Sequence, residues 1–166
     1  MTSIDISIAW PPKYDVFGVQ LSAVTREQAL DSIMRAAHQH ESAVVSAFSA
    51  HALVEASNSR ESQDRANRFA IITPDGQPVR WAINWLYGVG LARNVRGSDL
   101  MWDLCERAAT EGVSIYLYGS TPQTLDALQT NLLEAFPNLI IAGVESPPFR
   151  PLSPAEDEAL VHPRRR

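Results

Sequence analysis

Apolar runs alternate with amphipathic segments along most of this chain, and the alternation predicts strands followed by helices. The runs predict strands over residues 16–21, 43–48, 69–73, 113–118 and 138–144. Apolar residues recur at helical spacing between them, as at Leu125, Leu128 and Leu132. Trp81 and Trp85 lie in such a segment, and we expect both rings in the core. Strands that alternate with long helices indicate an α/β fold with a parallel sheet covered on both faces.

Residues with capping chemistry mark where several helices begin. Thr25 and Gln28 form a capping-box pattern, in which hydroxyl and amide each satisfy a free backbone N–H. Ser49 is an expected N-cap, and Thr121 followed by proline is another. Residues 153–156 repeat the capping-box pattern, so a further helix should begin there.

Composition narrows the class of protein. The chain has 166 residues, of which 45% are hydrophobic and 20% charged, as expected for a single globular unit. It shows neither a secretory signal nor an apolar run long enough to cross a membrane, so we expect a cytoplasmic protein. The net charge of -5 argues against a nucleic-acid partner. The lone Cys105 falls among apolar helix positions and is expected to be a buried thiol.

Several common chemistries lack their sequence motifs. No strand is followed by Gly-x-Gly-x-x-Gly or by a P-loop, so neither a dinucleotide cofactor nor a P-loop nucleotide site is predicted. A phosphate-accepting receiver domain would need a lysine on a later strand, whereas the only lysine is Lys13. The four histidines make no ligand spacing with Cys105, so no metal is predicted. We expect no cofactor.

Polar or glycine-bearing stretches follow the strands at residues 46–49, 73–76 and 119–121. In open parallel sheets, ligands bind beyond the carboxyl ends of the strands. Asp75, in Thr73-Pro74-Asp75-Gly76, therefore belongs to the expected functional edge. The residues alone leave two interpretations of Asp75 open: a helix cap or turn former, or a reactive carboxylate.

The order of these motifs resembles a known family. Pro-Asp-Gly follows a strand, Arg-Gly-Ser-Asp precedes a helix, Leu-Tyr-Gly-Ser-Thr-Pro ends a strand, and Ser-Pro-Pro-Phe-Arg occupies 146–150. The ordered set resembles the WecG/TagA/CpsF family, bacterial glycosyltransferases of family 26, and residues 146–150 are similar to its exopolysaccharide-synthesis branch. The resemblance covers about residues 16–161 and implies a Rossmann-like α/β fold.

The resemblance also implies a reaction. Such enzymes transfer an N-acetylmannosamine-type or related sugar from a UDP-sugar donor to a polyprenyl-diphosphate-linked acceptor, in bacterial cell-surface or exopolysaccharide synthesis. The acceptor lies at the cytoplasmic face of the membrane, so peripheral contact with the inner face of the cell membrane is compatible with this function. Three arginines at 164–166 would add only about 1 kcal/mol each near an anionic membrane.

Residue roles follow from the matched motifs. Asp75 matches the carboxylate proposed as the general base of an inverting transfer. The implied substrate-binding residues are Gly76, Arg96, Gly97, Ser98, Asp99, Gly119, Ser120 and Thr121. Alternatives remain, because Ser98 with Asp99 is also an ordinary helix cap and residues 119–121 also suit a plain strand-to-helix turn.

The chain departs from the family pattern in two places. Many members carry Thr-x-Asn where this chain has Ala47-Phe48-Ser49, so Ser49 and His51 are candidate replacements in substrate binding. Members also continue with further segments where this chain ends. We therefore expect an irregular segment over 1–15, a glycosyltransferase α/β domain over 16–161 with its C-terminal part missing, and a basic tail over 162–166. If the chain is truncated, a second hypothesis is a catalytically inactive remnant that at most binds UDP-sugar. Loss of the final segments would also expose apolar surface, so we expect self-association.

Overall fold

The structure is a computed structural model that describes residues 9–161, with side chains described to residue 158. The basic tail predicted over 162–166 lies outside this range. The six strands of the described chain are β1 (Lys13–Val16), β2 (Val19–Ser22), β3 (Val45–Phe48), β4 (Ile71–Pro74), β5 (Ser114–Tyr118) and β6 (Ile140–Glu145). Residues 9–161 also form seven helices: α1 (Arg26–His38), α2 (Ala50–Ser57), α3 (Arg60–Asn67), α4 (Gln77–Tyr87), α5 (Gly97–Glu111), α6 (Pro122–Ala135) and α7 (Pro154–Val161).

The strands pair in twos. β3 and β4 are parallel, β5 and β6 are parallel, and β1 and β2 form an antiparallel hairpin. Helices connect the strands of each parallel pair, as expected because parallel strands need a long crossover connection. The α/β class is confirmed, and the short parallel pairs agree with a Rossmann-like fold.

The first strand differs from its prediction. A single strand was expected over residues 16–21, but Phe17 and Gly18 form a two-residue turn between β1 and β2. Both residues have positive φ, 57° for Phe17 and 82° for Gly18, which is the backbone of a tight hairpin turn. Phenylalanine rarely adopts that conformation, so its presence in an apolar run gave no sign that the chain reverses direction there.

Buried polar side chains join elements that the strand ladders do not connect. Ser22 at the end of β2 is fully buried, and its Oγ accepts a hydrogen bond from the Ile72 N–H of β4 at 3.1 Å. Around this contact lies an apolar cluster built from β1, β2, β4 and α4, which includes Leu21 and Ile83. A second cluster lies between the β5–β6 pair and helices α5 and α6, and it holds the buried thiol of Cys105. Burial raises the pKa of this thiol.

The two tryptophans of α4 are not in the core, so that prediction was wrong. Trp81 is 59% exposed and Trp85 is 87% exposed, whereas Val79 and Ile83 form the buried face of α4. Apolar residues occupy both faces of this helix. Their spacing indicates a helix, but it does not show which face packs against the core. Among the described residues, none of the helices is long and apolar enough to cross a membrane.

Helices α1 and α5 are joined by a charged network. Arg107 on α5 donates to Asp31 on α1 at 2.5 Å and to Glu111 at 2.7 Å, while His38 lies 2.6 Å from Glu111. Hydrogen bonds from His38 and then from Arg107 lower the pKa of Glu111. This network links α1 to α5.

We predict that Ser22→Ala destabilises the fold by about 1–3 kcal/mol, because it leaves the buried Ile72 N–H without its acceptor. Urea unfolding followed by circular dichroism measures the change. Ser114→Ala, at an exposed position of β5, is the control and should shift the midpoint little. Equal stabilities for Ser22→Ala and the control would contradict the role given to the Ser22 hydroxyl.

Candidate active site

The carboxyl ends of β3 and β4 build one edge of the candidate site. The two strands run parallel in register, with Phe48 opposite Pro74, and the Asp75 N–H donates to the Phe48 carbonyl at 3.0 Å. Ser49 and Asp75, which follow these strands, are therefore brought side by side. Ser49 caps α2, since its hydroxyl accepts from the Ala52 N–H at 3.3 Å.

Asp75 keeps its carboxylate free of local backbone amides. Helix α4 begins after Gly76 with no side-chain cap, so the interpretation of Asp75 as a cap is wrong. Gly76 has a φ of 86°, a conformation that glycine adopts without steric cost and that takes the chain from strand to helix. Asp75 is half-buried, and within the described range no hydrogen bond or ion pair of its carboxylate is found. Such a group is available to a ligand.

The segment that precedes α5 closes the other side of β4. Thr73 is fully buried and its hydroxyl donates to the Val95 carbonyl at 3.1 Å, while the Val95 N–H donates to the Pro74 carbonyl at 3.0 Å. Gly97 then passes close to β3, where an added Cβ would lie 3.2 Å from the Ala47 Cβ. The start of α5 is therefore packed beside the edge that carries Asp75.

Two side chains of α4 hold this segment in place. The Arg80 guanidinium donates to the carbonyls of Leu91 at 2.9 Å and Ala92 at 3.0 Å, and also to the side chain of Gln77. The Asn84 amide makes two hydrogen bonds with the Leu91 backbone, at 2.9 and 2.8 Å. The polar face of α4 thus holds the backbone at Leu91 and Ala92, at the beginning of the segment that leads to α5.

Helix α5 begins within the Arg-Gly-Ser-Asp motif, residues 96–99, that was expected to precede it. Its first residue is Gly97, and Arg96 is the N-cap residue without a side-chain cap hydrogen bond. Ser98 and Asp99 lie in the first turn, so the interpretation of Ser98 as the cap is wrong. Their polar groups are exposed or half-buried at the helix start, beside the Gly97 contact with β3.

A cleft of about 650 Å³ opens next to this helix start. Its lining comes from the beginning of α1, the segment before α5, the first turn of α5 and one residue of α4. The lining residues are Thr25, Arg26, Glu27, Gln77, Ala92, Arg93, Asn94, Val95, Arg96 and Asp99. Asp75 is not among them, but Gln77 follows it closely along the chain, so the cleft adjoins the Asp75 edge.

The third predicted stretch belongs to the other strand pair. Gly119 continues the β5–β6 pairing through its N–H to the Glu145 carbonyl at 2.9 Å, and the Ser146 hydroxyl donates to the Ser120 carbonyl at 2.7 Å. Thr121 caps α6 as predicted, since its hydroxyl accepts from the Thr124 N–H. Over the described residues, no hydrogen bond links this turn to the Asp75 edge.

Sequence reasoning missed Arg26, Arg80 and Asn84, although all three border the candidate site. Arg80 and Asn84 hold the backbone at residues 91–92, and Arg26 contacts residues of α5, so no motif within one short stretch of sequence marks these roles. His51, a predicted site residue, is exposed in the first turn of α2. Within residues 9–161, no group of three or more histidine, cysteine or acidic side chains is arranged to hold a metal ion.

The fold and the site define an α/β protein with a free carboxylate at the carboxyl edge of parallel strands. The family model described as "Glycosyl transferase WecG/TagA/CpsF family" matches residues 14–163. Because the match covers most of its length, the chain belongs to this family. Its members are glycosyltransferases, and the family indicates activity in the synthesis of cell-surface polysaccharide.

We predict that Asn84→Ala loosens residues 91–95, because it removes both hydrogen bonds to the Leu91 backbone and leaves a buried N–H unpaired. Amide hydrogen exchange at Leu91 and Val95 should become about ten-fold faster or more. Asn131→Ala, at an exposed position of α6, is the matched control. Unchanged exchange at Leu91 in Asn84→Ala would show that the segment is held by other contacts.

Proposed function

We propose that this protein transfers an N-acetylmannosamine-type or related sugar from a UDP-sugar to a polyprenyl-diphosphate-linked acceptor in cell-surface or exopolysaccharide synthesis. The observation that carries the proposal is the Asp75 carboxylate. It is half-buried at the carboxyl edge of β3 and β4 and is not used to cap α4. Family membership supplies the reaction class.

The proposed step is a single displacement. Asp75 accepts the proton of the acceptor hydroxyl as that oxygen attacks the anomeric carbon of the donor. The bond between this carbon and the diphosphate oxygen breaks, and UDP leaves with the electron pair. Attack opposite the leaving group inverts the anomeric configuration. A positioned base of this kind contributes about 10²- to 10⁴-fold in rate.

The leaving diphosphate needs positive charge and N–H donors. Arg96 and the backbone at Gly97 and Ser98 offer both, since they form the start of α5 beside the Asp75 edge. In this proposal Asp99 accepts hydrogen bonds from sugar hydroxyls. Gly76, by its positive φ, directs the chain so that Asp75 stays at the edge.

Ser49 and His51 remain predicted substrate contacts, supported by the nearness of Ser49 to Asp75 at the paired strand ends. Gly119, Ser120 and Thr121 remain predicted nucleotide contacts. Their support is the place of this turn at the carboxyl end of β5, the edge at which α/β proteins bind ligands.

A polyprenyl acceptor is confined to a membrane, so the proposed reaction requires peripheral contact with the inner membrane face. The exposed indole rings of Trp81 and Trp85 support such contact, because tryptophan favours the membrane–water interface. Helix α4, which carries them, begins directly after Gly76. Self-association also remains a prediction, and exposed apolar side chains such as Phe17 support it.

We predict that Asp75→Asn lowers turnover by about 10²- to 10⁴-fold, because the amide cannot accept the acceptor proton. The assay measures UDP release from UDP-N-acetylmannosamine and related donors with a polyprenyl-diphosphate-linked acceptor. Asp126→Asn, an exposed carboxylate on α6, is the matched control and should keep the wild-type rate.

A wild-type rate in Asp75→Asn would refute the base assignment while leaving the family intact. UDP-sugar binding without UDP release by the wild-type chain would favour the alternative, a binding protein without turnover.

A further inference from the structure

A second cavity, of about 410 Å³, lies at the opposite end of the strands from Asp75. Its walls come from the segment before β1, the start of β1 and the loops that lead into β3 and β4. Asp75 follows β4 at its carboxyl end, whereas the loops that line this cavity precede the two strands. The cavity is therefore separate from the candidate active site, and we call it the amino-end cavity.

Lys13, the only lysine of the chain, is half-buried in the wall of the amino-end cavity. Its Nζ donates a hydrogen bond to the Phe69 carbonyl, and burial lowers the pKa of the amine. Among the described residues, no carboxylate lies within 4.0 Å of this Nζ. An ammonium has three N–H donors, so the bond to Phe69 leaves two for a ligand. A partly desolvated cation without a carboxylate partner is stabilised by an anion that enters beside it.

Arg68 brings a second positive charge to the same cavity. It is the C-cap residue of α3 and is exposed, and over residues 9–158 its guanidinium has neither a hydrogen bond nor an ion pair. Of the described residues that line the cavity, Glu41 is the one carboxylate, so the cations outnumber the carboxylates in a protein of net charge -5. This excess favours an anionic ligand.

The chemistry of the lining favours a phosphate monoester among the possible anions. A phosphate monoester carries about two negative charges at neutral pH, which matches two cations, whereas a carboxylate carries one. Arginine binds phosphate oxygens with a planar pair of donors, and lysine binds them as a point charge. The half-buried side chains of Trp10 and Phe69 also line the cavity and offer apolar surface to the group that carries the phosphate.

We propose that the amino-end cavity binds a phosphate monoester and that Lys13 and Arg68 bind its phosphate group. This site goes beyond the proposed function, because it lies away from the Asp75 edge and involves neither the donor nor the acceptor of sugar transfer. Inorganic phosphate presents the same anionic group without an apolar substituent. An aromatic ester and the free ion therefore distinguish two sources of the ligand.

The single lysine makes the site directly observable, because isotopic labelling of lysine at Cε gives one side-chain NMR signal in the full chain. Phenyl phosphate should shift this signal saturably and raise the pKa of Lys13, since a bound anion favours the protonated amine. Sodium chloride at equal ionic strength is the control and should cause no saturable shift. Inorganic phosphate is the second probe: weaker binding than phenyl phosphate identifies an organic ester as the ligand, and equal binding identifies free phosphate.

Arg68→Gln should weaken phenyl phosphate binding about ten-fold or more, because it removes a charge-assisted contact and leaves the Lys13 signal as the reporter. Arg68→Lys keeps the charge and should retain part of the binding. Arg65→Gln is the matched control, since Arg65 is an exposed arginine of α3 that pairs with Glu61 and does not line the cavity. Thermal unfolding of each variant monitors the fold.

The proposal is overturned if the Lys13 signal responds to both phosphate probes no more than to sodium chloride. It is also overturned if Arg68→Gln binds phenyl phosphate as tightly as Arg65→Gln does. Neither result depends on sugar transfer, so a failed transfer assay and a failed phosphate site are distinguishable.

Discussion

The parallel pairing of β3 with β4 is the constraint on which the candidate site depends. Its register sets Phe48 opposite Pro74, and the ladder continues for one more bond through the Asp75 N–H. The segments that follow β3 and β4 therefore leave the sheet at the same level along the strand direction. Asp75 and Ser49 adjoin for this reason, and a register slip in either strand would separate them.

Pro74 adapts the end of β4 to this task. Proline has no N–H to donate, so it suits the last residue of a strand better than the interior. Its carbonyl is still available, and it accepts from Val95 while the Thr73 hydroxyl donates to the Val95 carbonyl. These two hydrogen bonds attach Val95 to the side of β4 that faces away from β3, and they bring the start of α5 to the edge that carries Asp75. Hydrogen bonds from Arg80 and Asn84 then hold the segment from its other side.

Local chemistry explains which features were predictable from sequence. The capping residues Thr25, Ser49 and Thr121 were confirmed because a cap needs only its own helix turn. The α/β class followed from periodicity, which each element carries within itself. The start of α5 was misplaced because Arg96 caps it with no side-chain hydrogen bond, so no polar signal marks it.

Features that depend on distant residues could not be read in the same way. Trp81 and Trp85 have helical spacing, but the exposed face of α4 is decided by what Val79 and Ile83 pack against. The cleft needs α1 and the segment before α5 to meet, and their meeting depends on packing between α1 and α5. The order of motifs predicted the family, whereas the cleft beside the start of α5 could be seen only in the fold.

Amide chemical-shift mapping with UDP tests the assembled edge most directly. The account predicts that shifts change together at Asp75 and Gly76 and across residues 93–99, because one set of backbone contacts joins them. Binding that changes shifts elsewhere while these amides stay unperturbed would contradict it.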